Sequence, residues 1–359
     1  MSGPLPSPPP DPAPAGPAAG TRVTLAQLSP ADVGSRVVVR RRLPEGGFAD
    51  VLGDLLAWTA PGTPDAELLV RTRRGEVRVP EPEVAGGKKV PPAPLRRGAR
   101  VAALERAAAR GWRGLEEERL GDWLLRAGAG FTGRANSVLV AGDPGMALPE
   151  AVQAAARWYR ARGLPPRAAV PLGLADETDA LLAELGWQAR DLTDVLTAPV
   201  TASTSAELPA GVELRVWAAP TPAWLARYHY RGGPLPDGAA QVLVRGDAVA
   251  FLGLADAGAA PDAPLLAVAR AAVSADPAGQ GTERWVGVAA VDVAPQARRR
   301  GLGRAIVAQA LRWGVGQGAD AAYLQVLTTN EPAQALYRSM GFTPHHRYHY
   351  RWAPGAPPA

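Results

Sequence analysis

A chain of 359 residues with 47% hydrophobic content holds enough apolar material for two or three packed units, since domains usually run about 100–150 residues. It has no cysteine and only four histidines, which excludes disulfide frameworks, thiolate nucleophiles and Cys-ligated zinc and leaves little for any other metal centre. The net charge of +5 is concentrated in residues 21–100, with 14 Lys and Arg against 9 Asp and Glu, so affinity for a polyanion is expected there and not elsewhere. No apolar run reaches the roughly 18–20 residues of a membrane span, and the first residues lack the basic flank and apolar core of a secretion signal. A cytoplasmic protein with no membrane partner is the expectation.

Residues 1–20, "MSGPLPSPPPDPAPAGPAAG", have almost nothing to offset the entropy of ordering, and a disordered Pro-rich tail is expected. From Arg36 short β-branched runs follow: "RVVVRRRL", "DVLGDLLAWT", "AELLVRTRR" and "GEVRVPE", with Gly46-Gly47 and Pro61-Gly62 as turns. Strands at such tight spacing predict a small closed β-barrel within residues 21–95, since closure removes exposed edges. "GGKKVPPAP", residues 86–94, reads as a linker.

From Val101 onward helical and strand patterns alternate. A loose connector at residues 201–211 divides this part into blocks 101–200 and 212–355. Adding 155 to positions of the first block superposes it on the second without a gap: Val138 on Val293, Trp158 on Trp313, Gly163 on Gly318, Leu172 on Leu327 and Gly186 on Gly341. Helix, turn, strand, helix and last strand share one register, which predicts an internal duplication.

In the second block "RWVGVAAVDVAP" is an apolar run ended by Pro295, the pattern of a buried strand. A loop rich in Arg and Gly follows, then "RAIVAQALRWGVGQG", whose Ile306, Val307, Ala310 and Leu311 recur at helical spacing and whose Gly314, Gly316 and Gly318 are expected to stop the helix. A helix start after a strand carries unpaired N–H groups and the positive end of the helix dipole. Glycine permits close backbone approach, and arginine adds attraction. Arg298, Arg299 and Arg300 therefore point to an anion site, the alternative being a solvated basic surface.

The stretch Arg298-x-x-Gly301-x-Gly303 resembles the acetyl-CoA pyrophosphate loop of the GNAT N-acetyltransferase superfamily. Its sequel, "AAYLQVLTTNEPAQALYRSMGF", resembles that superfamily's second signature region. The resemblance implies an α/β (α+β) GNAT fold in which the fourth and fifth strands splay apart, with acetyl-CoA as co-substrate and no metal. It also implies that Val291 and Val293 offer backbone groups to pantetheine, and that the stretch Arg298, Arg299, Arg300, Gly301, Leu302, Gly303 and Arg304 holds the pyrophosphate. Asn330 would lie near the cofactor arm and Tyr337 near the thiol, where a phenol serves as general acid. Packing under the last strand is the alternative for Tyr337. The position at which many members carry a catalytic Glu is Gly287 here, so Glu283, Asp292, His229 or a water chain is left as base. "WLARYHYRGG" falls where the acceptor pocket is shaped, with Trp224, Tyr228 and Tyr230 lining it or packing in the core.

Under the same offset Arg298 falls on Asp143, Gly301 on Met146, Gly303 on Leu148 and Tyr337 on Leu182, so the first block is expected to be a degenerate half that holds no CoA. Mycothiol synthase is a tandem GNAT chain of this kind. With "VGSRVVVRRRLPEGGFADVLGDLLAW" and "FTGRANSVL" included, the whole order resembles an actinobacterial tandem GNAT family with an SH3-like N-terminal domain. The implied activity is acetyl transfer from acetyl-CoA to a primary amine of a small molecule or a protein. A non-catalytic acyl-CoA sensor or scaffold, suggested by Gly287, and a mycothiol-synthase-like small-molecule acetyltransferase are alternatives. A nucleic-acid contact through Arg40, Arg41, Arg42, Lys88 and Lys89 ranks below them, and strong salt dependence would accompany it.

Overall fold

Alternation of apolar and polar residues builds the first of two units into which the chain divides, residues 1–94 and 95–359. The computed structural model describes residues 28–90, 96–200, 207–229, 235–279 and 283–356. The expected tail, residues 91–94 of the expected linker, residues 201–206 of the connector, and Tyr230 lie outside them. Strands β1 (Arg36–Arg42), β2 (Phe48–Thr59), β3 (Glu67–Thr72), β4 (Gly75–Pro80) and β5 (Val84–Lys89) form an antiparallel sheet in the order β4-β3-β2-β1-β5. Val37, Val39, Val51, Leu55, Leu68, Val70 and Val79 bury its inner face. Two expectations change here. Residues 86–89 are not linker but strand, paired with β1; a Cβ on Gly87 would stand 2.5 Å from Leu28, so glycine is what lets that segment pack. Nor is a closed barrel found: β4 and β5 are the two edges, and no ladder joins them among the described residues. The 3₁₀ turn Glu81–Glu83 links these edges and spans at most about 15 Å, so the sheet coils until its edges approach at one corner without pairing. A bulge between Leu55 and Ala57 supplies part of that curvature.

In the second unit the elements are α1 (Arg97–Gly111), β6 (Glu116–Leu120), β7 (Trp123–Ala127), β8 (Val138–Leu139), α2 (Leu148–Arg160), β9 (Arg167–Pro171), α3 (Asp176–Glu184) and β10 (Gln188–Pro199). They continue with β11 (Val212–Trp217), α4 (Pro222–Arg227), α5 (Ala239–Leu243), β12 (Ala248–Asp256), β13 (Ala267–Ala275), β14 (Arg284–Val293), α6 (Leu302–Gly316), β15 (Ala321–Leu327), α7 (Glu331–Ser339) and β16 (Thr343–Trp352). One mixed sheet of eleven strands runs β11-β12-β13-β14-β15-β10-β16-β9-β8-β7-β6. The order strand, strand, strand, helix, strand, helix, strand occurs twice, from β6 to β10 and from β12 to β16.

The last strands of the two halves are exchanged. β10 lies between β15 and β16, while β16 lies between β10 and β9. Thr193 faces Tyr348, its own counterpart 155 positions on, so the sequence offset and the strand register agree at the centre of the sheet. They part at β8. Val138 pairs with Ala168 and Gly287 with Tyr323; Ala168 and Tyr323 are counterparts, so Val138 stands where Gly287 stands and not where Val293 does. Between paired strand and helix the first half is therefore 6 residues shorter, and the superposition is not gapless there.

Helix α6 covers one face of β12, β13 and β14 through Leu302, Ile306, Val307, Ala310 and Leu311. It runs through Gly314 but ends at Gly316, and the left-handed Gly318 (φ 80°) closes it as expected. A Cβ on Gly314 would lie 2.5 Å from Val286, so this glycine seats the helix on β14, and the tight packing offsets the roughly 1 kcal/mol propensity penalty of a helical glycine. The other face carries Trp112, Phe131, Trp224 and Phe251. There Arg270 is 1% exposed and donates to the carbonyls of Leu243 (2.7 Å), Gly111 (2.9 Å) and Arg245 (2.7 Å). Burial pushes its guanidinium down to about 9, still protonated at neutral pH, with the Trp112 ring 4.6 Å away.

Candidate functional site

Parallel strands β14 and β15 pair only where residues 285–288 meet residues 321–324. Beyond that, residues 289–293 and 325–327 share no ladder, and the strands part. The cause is local: β14 holds an extra residue between the pairs Arg270–Ala289 and Val268–Asp292, and Ala290 takes φ 52° to fit it. Such a bulge bends its strand.

At the end of β14 the Ala294 N–H donates to Leu266 (2.8 Å), and the 3₁₀ turn Pro295–Ala297 leads into the loop. Arg299 (φ 63°) and Gly301 (φ 78°) are both left-handed, a conformation that costs a non-glycine residue about 1–2 kcal/mol. They open the turn into α6. Among the described residues, the N–H groups of Arg299, Arg300, Gly301, Leu302, Gly303 and Arg304 meet no acceptor, and the first to do so is that of Ala305, on Gly301 (3.0 Å). Six free donors at the positive end of a 15-residue helix have the chemistry that suits an anion. Side chains divide differently. Those of Arg299 and Arg300 are exposed, that of Arg298 reaches back to the Val293 carbonyl (3.4 Å), and that of Arg304 grips Ser339 through its hydroxyl (2.7 Å), bracing α6 against α7. Gly303 permits that closeness, because its Cβ would lie 3.2 Å from Leu336. Val291 and Val293, on the parted stretch of β14, pack toward α6.

Asn330 begins α7 at the end of β15, and its Oδ1 accepts from the Ala333 N–H (3.3 Å), so it caps the helix. Tyr337 is 8% exposed and lies edge-on to Phe342 at 6.1 Å. Its hydroxyl has no hydrogen-bond partner among the described residues, and burial pushes it up to about 12.

Gly287 has no room for any side chain: a Cβ there would stand 2.4 Å from the ring and hydroxyl of Tyr323. Glu283 is exposed at the far end of β14, about 30 Å of strand from the loop. Asp292 and His229, by contrast, are brought together. The His229 N–H donates to Asp292 Oδ2 (3.3 Å), His229 Nδ1 lies 3.5 Å from the same oxygen, and Arg227 Nε is 4.0 Å from Asp292 Oδ1. Tyr228 and His229 line an open cavity of about 480 Å³ with Leu225, Leu235 and Asp237. Trp224 does not line it. It is wholly buried, its indole donating to Leu252 (3.1 Å) and its ring edge-on to Phe251. The pairing of His229 with Asp292 had no signal in the sequence, because 63 residues separate them. Among the described residues no cluster of three His, Asp or Glu side chains has metal-binding geometry, and no helix is long and apolar enough to cross a membrane.

At the matching place in the first half the loop closes on itself. Asp143 accepts from the Gly145 N–H (2.8 Å), and Asp122 accepts from the Asp143 N–H (3.0 Å). The adjoining cavity, about 570 Å³, is lined by Asp143, Met146, Asp176 and Glu177. Carboxylates occupy N–H groups that an anion would need, and their charge repels one.

Comparison with known proteins agrees with this architecture. A family model described as "Probable histone acetyltransferase Rv0428c C-terminal" matches residues 98–351. Probable histone acetyltransferase Rv0428c of Mycobacterium tuberculosis (strain ATCC 25618 / H37Rv) is 34% identical over 328 residues, 89% of this chain and 94% of that protein. The uncharacterized N-acetyltransferase YobR of Bacillus subtilis (strain 168) is 26% identical over 258 residues, 70% of this chain and 98% of that one. Among solved structures, a GCN5-related N-acetyltransferase from Kribbella flavida shares the fold with a TM-score of 0.52 at 21% identity, over 72% of this chain and 96% of its own. A family match that spans both halves of the eleven-stranded sheet, together with a relative similar over nearly its whole length, decides the assignment: this chain belongs to the Rv0428c C-terminal family and is a GNAT N-acetyltransferase.

Proposed function

We propose that the second half of the sheet transfers the acetyl group of acetyl-CoA to a primary amine by direct attack, with Tyr337 as general acid. The observation that carries this reading is the row of six N–H groups from Arg299 to Arg304 that meet no acceptor among the described residues, at the mouth of parted strands. In this reading the loop holds the pyrophosphate, with Arg298, Arg299 and Arg300 adding charge. The unladdered backbone at Val291 and Val293 binds the pantetheine amides, and Asn330 holds the start of α7 beside the arm. The Tyr337 hydroxyl has no hydrogen-bond partner among the described residues and stays protonated well above neutral pH, which suits a group that must donate to a departing thiolate. We further read the first half as an inactive copy, since its loop is shorter, acidic and internally bonded, and the five-stranded unit as SH3-like in strand order. The name of the mycobacterial relative makes histone lysines the first acceptor to try, ahead of polyamines, aminoglycosides and amino acids.

Calorimetric titration is expected to give one CoA per chain, and two would remove the reading of the first half. Tyr337→Phe is expected to lower kcat by about 100-fold while changing acetyl-CoA affinity less than about threefold; unchanged turnover would remove Tyr337 as the acid. Tight CoA binding with no CoA release across all four amine classes would favour a sensor or scaffold instead.

A further inference from the structure

We propose that Arg134, carried by the first half, binds the acceptor of the second half and selects an amine that bears a carboxylate; the inference rests on the acetyltransferase reading above and deepens it by naming the acceptor class. One face of the parted strands is covered. Val291 and Val293 of β14, with Leu324 and Val326 of β15, pack into the core under α6. Strand alternation turns Gln325 the other way, to the side of Tyr323, and Ala289 and Ala290 pack with Trp112 and Phe131 on that side. All three are only partly buried, so an amine approaching the parted strands comes from this face and meets what stands on it.

What stands there comes from the other half of the sheet. Arg134, in the segment "FTGRANSVL", donates through Nη1 to Gln325 Oε1 (3.1 Å), and Gln325 is the first residue of β15 beyond its ladder with β14. The guanidinium carbon lies 4.3 Å from the centroid of the Trp112 ring. The segment that carries it is held stiffly. Asn136 accepts from the N–H groups of Gly128 (2.8 Å) and Gly130 (3.0 Å) and donates to the carbonyls of Phe131 (2.7 Å) and Thr132 (2.9 Å). The Trp112 indole donates to Thr132 Oγ1 (3.0 Å). Ala129 (φ 51°) and Thr132 (φ 63°) are left-handed, which persists only where the surroundings over-determine it. A Cβ on Gly133 would stand 2.6 Å from the Tyr350 ring, so the residue before Arg134 is seated against β16.

The guanidinium keeps donors to spare. Of its five N–H groups one goes to Gln325, the others meet no acceptor among the described residues, and neither Nε nor Nη2 is sealed from solvent. A cavity of about 10 Å³ that Arg134 and Gln325 line with Glu105, Arg126, Tyr348 and Tyr350 admits at most one water, which accepts no more than two of the remaining four. No carboxylate there neutralises Arg134: Glu105 is engaged by His346 Nε2 (2.8 Å), and Arg126 donates to Ser137. The charge of Arg270, 4.6 Å from the same Trp112 ring, adds to that of Arg134. A planar fork of unpaired N–H groups is a bidentate partner for a carboxylate and repels a polycation. Carboxylate-bearing amines, free lysine among them, therefore come ahead of spermidine, kanamycin and a histone tail, the reverse of the order that the relative's name suggests.

The test uses the full chain with acetyl-CoA and two pairs of amines that differ only by a carboxylate, lysine with cadaverine and β-alanine with ethylamine. Spermidine, kanamycin and a histone-tail peptide are assayed beside them. The parent is expected to favour the acid of each pair by at least about tenfold in kcat/KM. Arg134→Gln is expected to lower that ratio about tenfold through the KM of the amine, with KM for acetyl-CoA and melting temperature unchanged, and Arg134→Lys to recover part of it. A merely structural role would lower both members of a pair alike. A ratio near one in the parent, an equal loss for both members in Arg134→Gln, or turnover confined to the three polycations overturns the carboxylate and leaves the transferase standing. A parent chain that binds CoA and acetylates none of the seven overturns both.

Discussion

His345 shows how a single residue couples the fold to pH. Its Nδ1 lies 2.8 Å from Nδ1 of His346, whose Nε2 lies 2.8 Å from Glu105 on α1. Burial first, and then the neighbouring His346 and Arg100, push His345 down to about 4. A histidine in the unfolded chain titrates near 6.5, so between about pH 6.5 and 4 the unfolded state binds a proton that the folded state refuses. Stability is complete above that window and declines as pH falls through it. Lowering pH from 7 to 5 is expected to lower the melting temperature, and His345→Asn to reduce that slope; an unchanged slope would show that other groups carry it. At this scale the sequence was legible only where chemistry is contiguous. The loop residues from Arg298 to Arg304 sit side by side in the chain, so their pattern survives in a string. Tyr323 over Gly287 joins residues 36 apart, and nothing local announces such a contact.

The turn into α6 illustrates what one element asks of its residues. Gly301 has open space around an added Cβ, so a larger residue there meets no clash and pays only for its φ of 78°, about 1–2 kcal/mol. Gly303 is the reverse, helical in conformation but close to Leu336. Gly301→Val is therefore expected to leave a folded protein whose loop no longer keeps the left-handed turn at 301, with CoA affinity at least about tenfold weaker by calorimetry. Retained affinity would mean that the anion binds elsewhere. Sequence pattern misleads about elements where glycine serves packing instead of turning. Gly314 has the pattern of a helix stop but is a contact with Val286; Gly86 and Gly87 have the pattern of a linker but are strand. In each case a neighbour remote in sequence replaces the local preference, as tertiary packing commonly does. Helix α6 and strands β14 and β15 were legible because apolar period and turn residues agreed.

At the scale of the molecule, the exchange of β10 and β16 makes one sheet of two halves. Residues 207–359 alone would leave β15 and β16 without the strand that lies between them, exposing ladder edges that invite aggregation. That fragment is expected to be unfolded or aggregated by circular dichroism and size exclusion, and co-expression of residues 95–206 to recover a folded complex; a monomeric fragment that melts like the parent would contradict this. The duplication itself was visible as an offset of 155, but the exchange was not, since an offset reports which residues correspond and not which ones pair.

The facing pair Thr193 and Tyr348 also sets a clock for synthesis. At roughly 5–20 residues per second, the ribosome delivers β16 on the order of ten to thirty seconds after β10. Until then β9 and β10 leave the exit tunnel with edges that only later strands will cover. Contacts of such long sequence separation form slowly, so slowing translation between β10 and β16 is expected to lower the yield of folded enzyme in a cell, and an unchanged yield would count against it.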